Sequence, residues 1–141
     1  MNPSPRSRVR LNLTRPAFAL NVDLDLPGDG ITVLFGASGS GKTSLLRCVA
    51  GLEHTPGALV SIAGETWQDD EAGIYLPTWQ RPLGYVFQEA SLFAHLNVRK
   101  NLQFGLKRSG AVFNGATNAA ALDTAIDLLG IATLLDRETG Q

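Results

Sequence analysis

Apolar and polar residues alternate along residues 20–26, with leucine or valine at every second position and asparagine or aspartate between them. This period of two predicts a half-buried β-strand. Residues 31–35 are instead continuously apolar, which is typical of a strand buried on both faces of a parallel sheet. Residues 58–67 predict short strands around a glycine turn, and residues 83–88 predict one further strand.

Helical periodicity follows in other parts of the chain. Residues 43–52 place their leucines, valine and alanine on one face, which predicts a helix with one buried side. Residues 98–106 predict a second helix that Asn97 caps. Residues 118–130 predict a third helix, with Gly130 at the C′ position. The front half of the chain is therefore expected to be rich in strands and the last third to be helical.

Composition excludes several classes of function. The 141 residues are 44% hydrophobic and 18% charged, as expected for a soluble domain with a core. The net charge of −1 argues against a nucleic-acid partner. The single cysteine, Cys48, has no partner for a disulfide or a zinc site and is expected to be buried on a helix. No stretch has the roughly 18 apolar residues that a membrane helix needs.

The window at residues 36–43 reads G-A-S-G-S-G-K-T and matches the pattern G-x-x-x-x-G-K-[ST] at every specified position. It lies between a predicted strand and a predicted helix, which is the context that a phosphate-binding loop (P-loop) requires. The window therefore predicts a nucleoside triphosphate site. The predicted nucleotide-binding residues here are Gly36, Ala37, Ser38, Gly39, Ser40, Gly41, Lys42, Thr43 and Ser44.

Each residue type in the window suits phosphate chemistry. Glycines let backbone N–H groups turn inward and leave room for phosphate oxygens. The helix that follows points its N-terminus, with a partial positive charge, at the same place. Lys42 adds a full charge for the β- and γ-phosphates, and the hydroxyl of Thr43 is a ligand for Mg²⁺.

The extended motif, G-A-S-G-S-G-K-T-S-L-L-R-x-x-A-G-L, resembles the Walker A region of ATP-binding cassette (ABC) transporter ATPases. A second hallmark of that family is an aromatic–apolar segment that ends in glutamine, and residues 84–88 are similar to it. The resemblance extends over residues 9–141. Within the family, the overall sequence is most similar to the ATP-binding subunits of molybdate importers. Importers of sulfate and of other small solutes are alternatives within the same family.

The resemblance implies ATP and Mg²⁺ as cofactors and gives roles to further residues. Gln88 matches the glutamine that touches Mg²⁺ and the attacking water. Residues 91–98 match the surface that meets the transmembrane permease subunit, with Ser91, Leu92, Phe93, His95 and Leu96 as the expected contacts. Family members commonly stack an aromatic side chain on adenine. Phe18 is the nearby aromatic here, and its alternation with Leu20 is equally compatible with a place in the core.

Together these features predict an α/β fold: a P-loop NTPase core with a mixed sheet and an antiparallel β subdomain, followed by the beginning of an α-helical subdomain. The expected organisation is a flexible tail (1–7), a partial ATP-binding core (8–91) and the start of the helical subdomain (92–141). The resemblance implies a permease partner, a second copy of the whole protein in a head-to-tail dimer, and a periplasmic solute-binding protein acting indirectly. It also implies a cytoplasmic location, peripheral on the inner face of the cell membrane.

The chain stops where the family's signature segment is expected to begin, and the Walker B strand and switch histidine would follow later. This reading makes the chain an N-terminal fragment with no catalytic residues of its own. An alternative is a small stand-alone P-loop kinase or NTPase, in which Asp136 ends an apolar run and holds Mg²⁺. A third hypothesis is a nucleotide-binding or interaction module without turnover.

We therefore expect the 141-residue chain to bind nucleotide weakly and to hydrolyse essentially none, because the groups that polarise water and close the site are not among its motifs. The measurement is phosphate release under saturating ATP, with Lys42→Ala as the background. Sustained ATP hydrolysis above that background would contradict the expectation, and its loss in Asp136→Ala would favour the kinase alternative.

Overall fold

The computed structural model describes residues 5–89, 91–108 and 115–139, without the side chains of residues 115–118. It divides into two units, Met1–Tyr85 and Val86–Gln141. Residues 1–4 of the predicted tail lie outside the described residues, and the first strand begins at Ser7. The predicted α/β class is confirmed, and the strands of the described residues pair antiparallel.

The first unit is built on a long hairpin. Strands β1 (Ser7–Arg15) and β2 (Phe18–Leu26) pair over their whole length, from Ser7 opposite Leu26 to Arg15 opposite Phe18. Along β1 every second side chain is buried, and arginine or asparagine faces solvent between them. This alternation was the available sequence signal for β1, but only the strand at residues 20–26 was predicted from the pattern.

A second hairpin extends the sheet. Strands β3 (Leu59–Ile62) and β4 (Glu65–Asp69) meet at Ala63 and Gly64, both with positive φ (49° and 84°), as the tight turns that suit strand twist require. This confirms the strands predicted around a glycine turn. With β5 (Ile74–Tyr75), the strands of the described residues form one sheet in the order β2-β1-β3-β4-β5.

Helix α1 (Lys42–Ala50) covers the apolar face of this sheet. Its buried residues Leu45 and Cys48 join a cluster with Val9, Leu11 and Leu13 of β1. The expectation that Cys48 is buried on a helix is confirmed: the side chain is 2% exposed. Burial raises the pKa of its thiol, outweighing the hydrogen bond with Thr55 that lowers it.

The strands predicted at residues 31–35 and 83–88 are wrong, because neither segment is a strand in the structure. Residues 31–35 and 83–88 form no ladder with the other described residues. Ile31 and Phe35 are each 95% exposed, although their segment reads as a strand buried on both faces. The reason is that a strand of this kind needs hydrogen-bonded neighbours and covering side chains, and the described residues supply neither.

Arg81 lies buried beneath the C-terminal end of α1. Its Nη1 donates to the carbonyls of Val49 (2.6 Å) and Cys48 (3.3 Å), and its Nε donates to the carbonyl of Leu76 (2.7 Å). These are among the carbonyls that a helix end leaves unsatisfied, and a cation there also opposes the helix dipole. Burial lowers the pKa of the guanidinium, with an opposing contribution from Tyr75. Arg81 therefore ties the end of α1 to the chain that follows β5.

Another polar network lies beside it. Gln68, 1% exposed, donates from Nε2 to the carbonyl of Thr55 (3.0 Å) and to the Asp70 carboxylate (2.9 Å). Asp70 also accepts from the backbone N–H of Gly57 (2.7 Å) and lies 3.6 Å from His54. Burial by itself raises the pKa of Asp70, but these partners outweigh it, so its pKa lies below its usual range. The network fixes the loop between α1 and β3 against β4.

The second unit contains α2 (Val98–Arg108), α3 (Gly115–Leu129) and a short 3₁₀ helix (Ala132–Leu134). Asn97 caps α2 as predicted, accepting from the N–H of Lys100 at 2.9 Å. Gly130 (φ 64°) ends α3 as predicted, and its N–H donates to the carbonyl of Asp127 at 3.1 Å. The start of the third helix differs from the predicted one, since α3 begins before residue 118.

Replacing Arg81 with Met should lower the free energy of unfolding by about 2–3 kcal/mol, because buried carbonyls at the end of α1 lose a charged donor. The measurement is urea denaturation followed by circular dichroism. The control is Arg8→Met, which removes an exposed ion pair with Asp23 (2.7 Å) and should change stability by less than about 1 kcal/mol. Equal losses in both variants would contradict a special role for Arg81.

Candidate functional site

The predicted phosphate loop projects from the first unit. Every residue from 36 to 40 is exposed, and α1 begins at Lys42 directly after the loop. Gly39 and Gly41 have φ of 78° and 93°, a region that side-chain-bearing residues rarely adopt. These two glycines therefore have the conformational role that the sequence predicted for them.

Gly36 is needed for a different reason. A Cβ at Gly36 would lie 3.0 Å from the Oγ of Ser40, so the close approach of Ser40 leaves little room for a side chain. The N–H of Ser40 also donates to the carbonyl of Ala37 at 3.3 Å, which closes the turn. These contacts make the loop compact.

Lys42 binds the loop that it follows. Its Nζ donates to the carbonyls of Gly36 (2.8 Å) and Ala37 (2.6 Å) and lies 3.3 Å from the Oγ of Ser40. The ammonium group is held at the mouth of the loop by neutral acceptors rather than by a carboxylate. A phosphate oxygen, which carries charge, is a stronger acceptor than a carbonyl oxygen for the same amine.

The N-terminus of α1 is open to an anion. Gly41 is its N-cap and provides no side-chain cap, and the first turn contains no acidic residue. The first intrahelical bond runs from the N–H of Leu45 to the carbonyl of Gly41 at 2.9 Å. The N–H groups of Lys42, Thr43 and Ser44 precede it and have no acceptor within the helix. Their number and direction fit a phosphate group.

Thr43 is exposed in this first turn, and Ser44 is partly buried. A hydroxyl beside bound phosphate is a suitable hard oxygen ligand for Mg²⁺. Among the residues that the structure describes, no group of three or more His, Cys, Asp or Glu side chains could hold a metal ion. The place of the Thr43 hydroxyl next to the loop is compatible with the predicted cation.

A cleft of about 360 Å³ adjoins the loop. Ser40, Gly41 and Lys42 line one part of it, and the inward side chains of β2 line another. Leu34 and Phe35 also contribute to the wall. The cleft is thus a continuation of the apolar sheet face up to the amine of Lys42.

Gln88 belongs to the second unit, where it is exposed in a bend after residues 82–87. Its contact with Mg²⁺ and water stays a prediction. The expected permease contacts lie nearby in the chain. Ser91, Leu92, Phe93 and His95 are exposed, and Leu96 is partly buried.

Three of these residues, Ser91, Leu92 and Phe93, line a cleft of about 220 Å³ together with side chains of α2. The ring of Phe93 meets that of Phe104 edge-on at 4.7 Å, and Arg108 lies 5.0 Å above the Phe104 ring. The cleft is apolar at its base and has a cationic group at Phe104. His95 and Leu96 do not line it, although the His95 ring lies 5.8 Å from that of Phe93.

Asn101 holds this segment on α2 and was not predicted. Its Oδ1 accepts from the N–H of Phe93 (2.9 Å), and its Nδ2 donates to the carbonyls of Phe93 (3.2 Å) and Leu96 (3.0 Å). Thr139 adds hydroxyl bonds to the same two carbonyls at 3.1 Å. The sequence signal for this role was an asparagine within a predicted helix. Asparagine is unfavourable in helix interiors, because its side chain tends to form hydrogen bonds with nearby backbone groups.

Asp136 does not have the surroundings of a metal-binding acid at the end of a strand. It follows the 3₁₀ helix Ala132–Leu134, is 83% exposed and pairs with Arg99 at 3.4 Å. The structure therefore does not favour the stand-alone kinase or NTPase hypothesis, which needed a strand before this residue.

Comparison with known proteins gives consistent matches. The family model of ABC transporters matches residues 19–141. The molybdenum import ATP-binding protein ModC of Aromatoleum aromaticum is 58% identical over 95% of this chain and 34% of its own length. ModC 1 of Azotobacter vinelandii is 54% identical over 99% of the chain and 37% of its own length. The chain thus spans about a third of the length of these relatives.

None of the helices in the described ranges is both long and apolar enough to cross a membrane.

Gly41→Ala should destabilise the first unit more than Gly57→Ala. Both positions have positive φ, which costs an alanine roughly 1–2 kcal/mol. Only at Gly41 would the new methyl meet other atoms within 4 Å, which adds about 1 kcal/mol of overpacking. Urea denaturation of the two variants measures the difference. Equal stability losses would show that the space around Gly41 is not restricted.

Proposed function

The chain belongs to the ABC transporter family, and on that premise we propose that it forms the phosphate-binding part of the ATP-binding subunit of an importer. The carrying observation is the phosphate loop: exposed backbone, an uncapped start of α1, and the Lys42 amine held by neutral carbonyls. ATP hydrolysis in the whole protein would drive uptake of the solute. The names of the relatives, molybdenum import ATP-binding proteins, support molybdate as that solute.

In the proposed site each group has a separate task. The N–H groups of the loop and of the first turn of α1 would surround the β-phosphate, and the Lys42 ammonium would exchange its carbonyl acceptors for β- and γ-phosphate oxygens. Bound Mg²⁺ would neutralise phosphate charge, with Thr43 and Gln88 as its protein ligands. Gln88 would also orient the attacking water.

Calorimetric titration with ATP and Mg²⁺ tests this proposal. Lys42→Ala should weaken binding by roughly tenfold or more, because it removes a charge-assisted contact worth at least about 1.4 kcal/mol. Lys100→Ala, which removes an exposed lysine of α2, should leave the affinity unchanged. Equal affinities of the wild type and Lys42→Ala would overturn the proposed site.

The same titration, run with and without Mg²⁺, tests Thr43 as the proposed magnesium ligand. In Thr43→Val the affinity for ATP should no longer rise when Mg²⁺ is added, whereas binding of ATP without Mg²⁺ should persist. A Thr43→Val chain with the full magnesium effect would exclude Thr43 as the ligand.

We propose that the cleft of α2 and residues 91–93 contacts the transmembrane permease subunit. Leu92 and Phe93 are 55% and 43% exposed there, and Asn101 holds their backbone in a defined position. His95 and Leu96 would extend the contact beyond the cleft. Docking through this surface would place the protein on the cytoplasmic face of the membrane.

Two further partners complete the proposal for the whole protein. A second copy would face the exposed phosphate loop in a head-to-tail dimer and enclose ATP between the copies. A periplasmic protein would bind the solute and deliver it to the permease, without touching this chain.

Co-sedimentation with vesicles that contain the importer's permease subunit tests the proposed contact. Leu92→Glu should reduce the bound fraction about tenfold, because it puts a charge into an apolar contact. The matched control is Leu128→Glu, since Leu128 is 85% exposed on α3 and does not line the cleft. Unchanged binding of Leu92→Glu, or the same loss in both variants, would count against the cleft.

A further inference from the structure

Two side chains of β2 lie beside the last glycine of the phosphate loop. A Cβ at Gly41 would lie 3.3 Å from the Cε2 of Phe18 and from the Cδ1 of Leu20. Such a separation is tighter than ordinary packing, so the space beside Gly41 accommodates a glycine but crowds any side chain. The start of α1 is thus bounded on this side by Phe18 and Leu20.

Phe18 is itself supported from behind. It is the first residue of β2, pairs with Arg15 across the hairpin and packs against the buried cluster that includes Leu13 and Leu45. A side chain backed by close-packed core cannot move aside without disturbing that core. The core therefore defines the position of the ring beside Gly41.

Gly41 is the position at which displacement would matter for a ligand. It is the N-cap of α1, and its carbonyl accepts the first helical hydrogen bond, from Leu45. The N–H groups of the next three residues point from this place toward the loop. Their attraction for an anion falls off within one turn, so their use depends on where the helix begins.

We propose that Phe18 is a positioning residue of the phosphate loop: its ring sets the position of Gly41 and so aims the N–H groups of the first turn of α1 at phosphate. This inference rests on the proposed function of the loop. It differs from an adenine platform, because a ring that stacks on the base acts only on ligands that have a base. A ring that supports Gly41 acts on every ligand with a triphosphate.

The test compares ATP, GTP and inorganic tripolyphosphate, each with Mg²⁺, by calorimetric titration of the 141-residue chain. Phe18→Ala should weaken the binding of all three ligands by a similar factor, roughly tenfold. Phe18→Leu, which keeps apolar volume next to Gly41, should recover most of the affinity for all three. The rescue keeps the test decisive if Phe18→Ala does not fold.

The matched control is Ile62→Ala. Ile62 lies on β3 and packs on the same core, but it neither lines the cleft beside the loop nor is among the residues nearest Gly41. This variant should lose stability and keep wild-type affinity for the three ligands, measured at a temperature at which circular dichroism shows each variant folded.

Three results would overturn the inference. Loss of ATP and GTP binding with intact tripolyphosphate binding would assign the ring to the base. Unchanged affinities in Phe18→Ala, or an equal loss in Ile62→Ala, would remove any specific link to the loop. A wild type that binds none of the ligands would instead reject the proposed function, and this inference with it.

Discussion

The buried guanidinium of Arg81 is the contact on which the geometry of the first unit depends. It satisfies the last carbonyls of α1 and the carbonyl of Leu76 from one position, so it joins the helix to the chain that leaves the sheet. The helix ends at Gly51, whose φ of 74° is in the left-handed region. Arg81 packs against this glycine, and a Cβ there would lie 2.7 Å from its Cζ. The other end of the helix, only nine residues away, is the phosphate loop.

In the proposed function, phosphate binding would be an exchange of partners at the loop. Lys42 donates to carbonyls of the same loop. Phosphate would replace these acceptors with charged ones and would add contacts to N–H groups that have no partner within α1. The contacts at both ends of α1 would position the helix for the proposed recognition.

Sequence reasoning succeeded where an element depends on its own neighbours in the chain. The hairpin of β3 and β4, the cap at Asn97 and the end of α3 at Gly130 each follow from a few adjacent residues. It failed at residues 31–35, because apolar character reports a tendency to be buried and not the presence of neighbouring strands. It also passed over Asn101, whose partners become visible only when the segment before α2 folds back on the helix.

The sequence by itself determined the family and the chemistry of the loop, because eight consecutive residues contain the glycines, the amine and the hydroxyl that phosphate and Mg²⁺ require. Only the tertiary structure decided how that loop is held. Arg81 finds two of its carbonyl acceptors 32 and 33 residues earlier in the chain, and the packing of β2 against α1 brings Phe18 beside Gly41. Local chemistry is encoded in adjacent residues, whereas its position depends on close packing between segments that are distant in sequence.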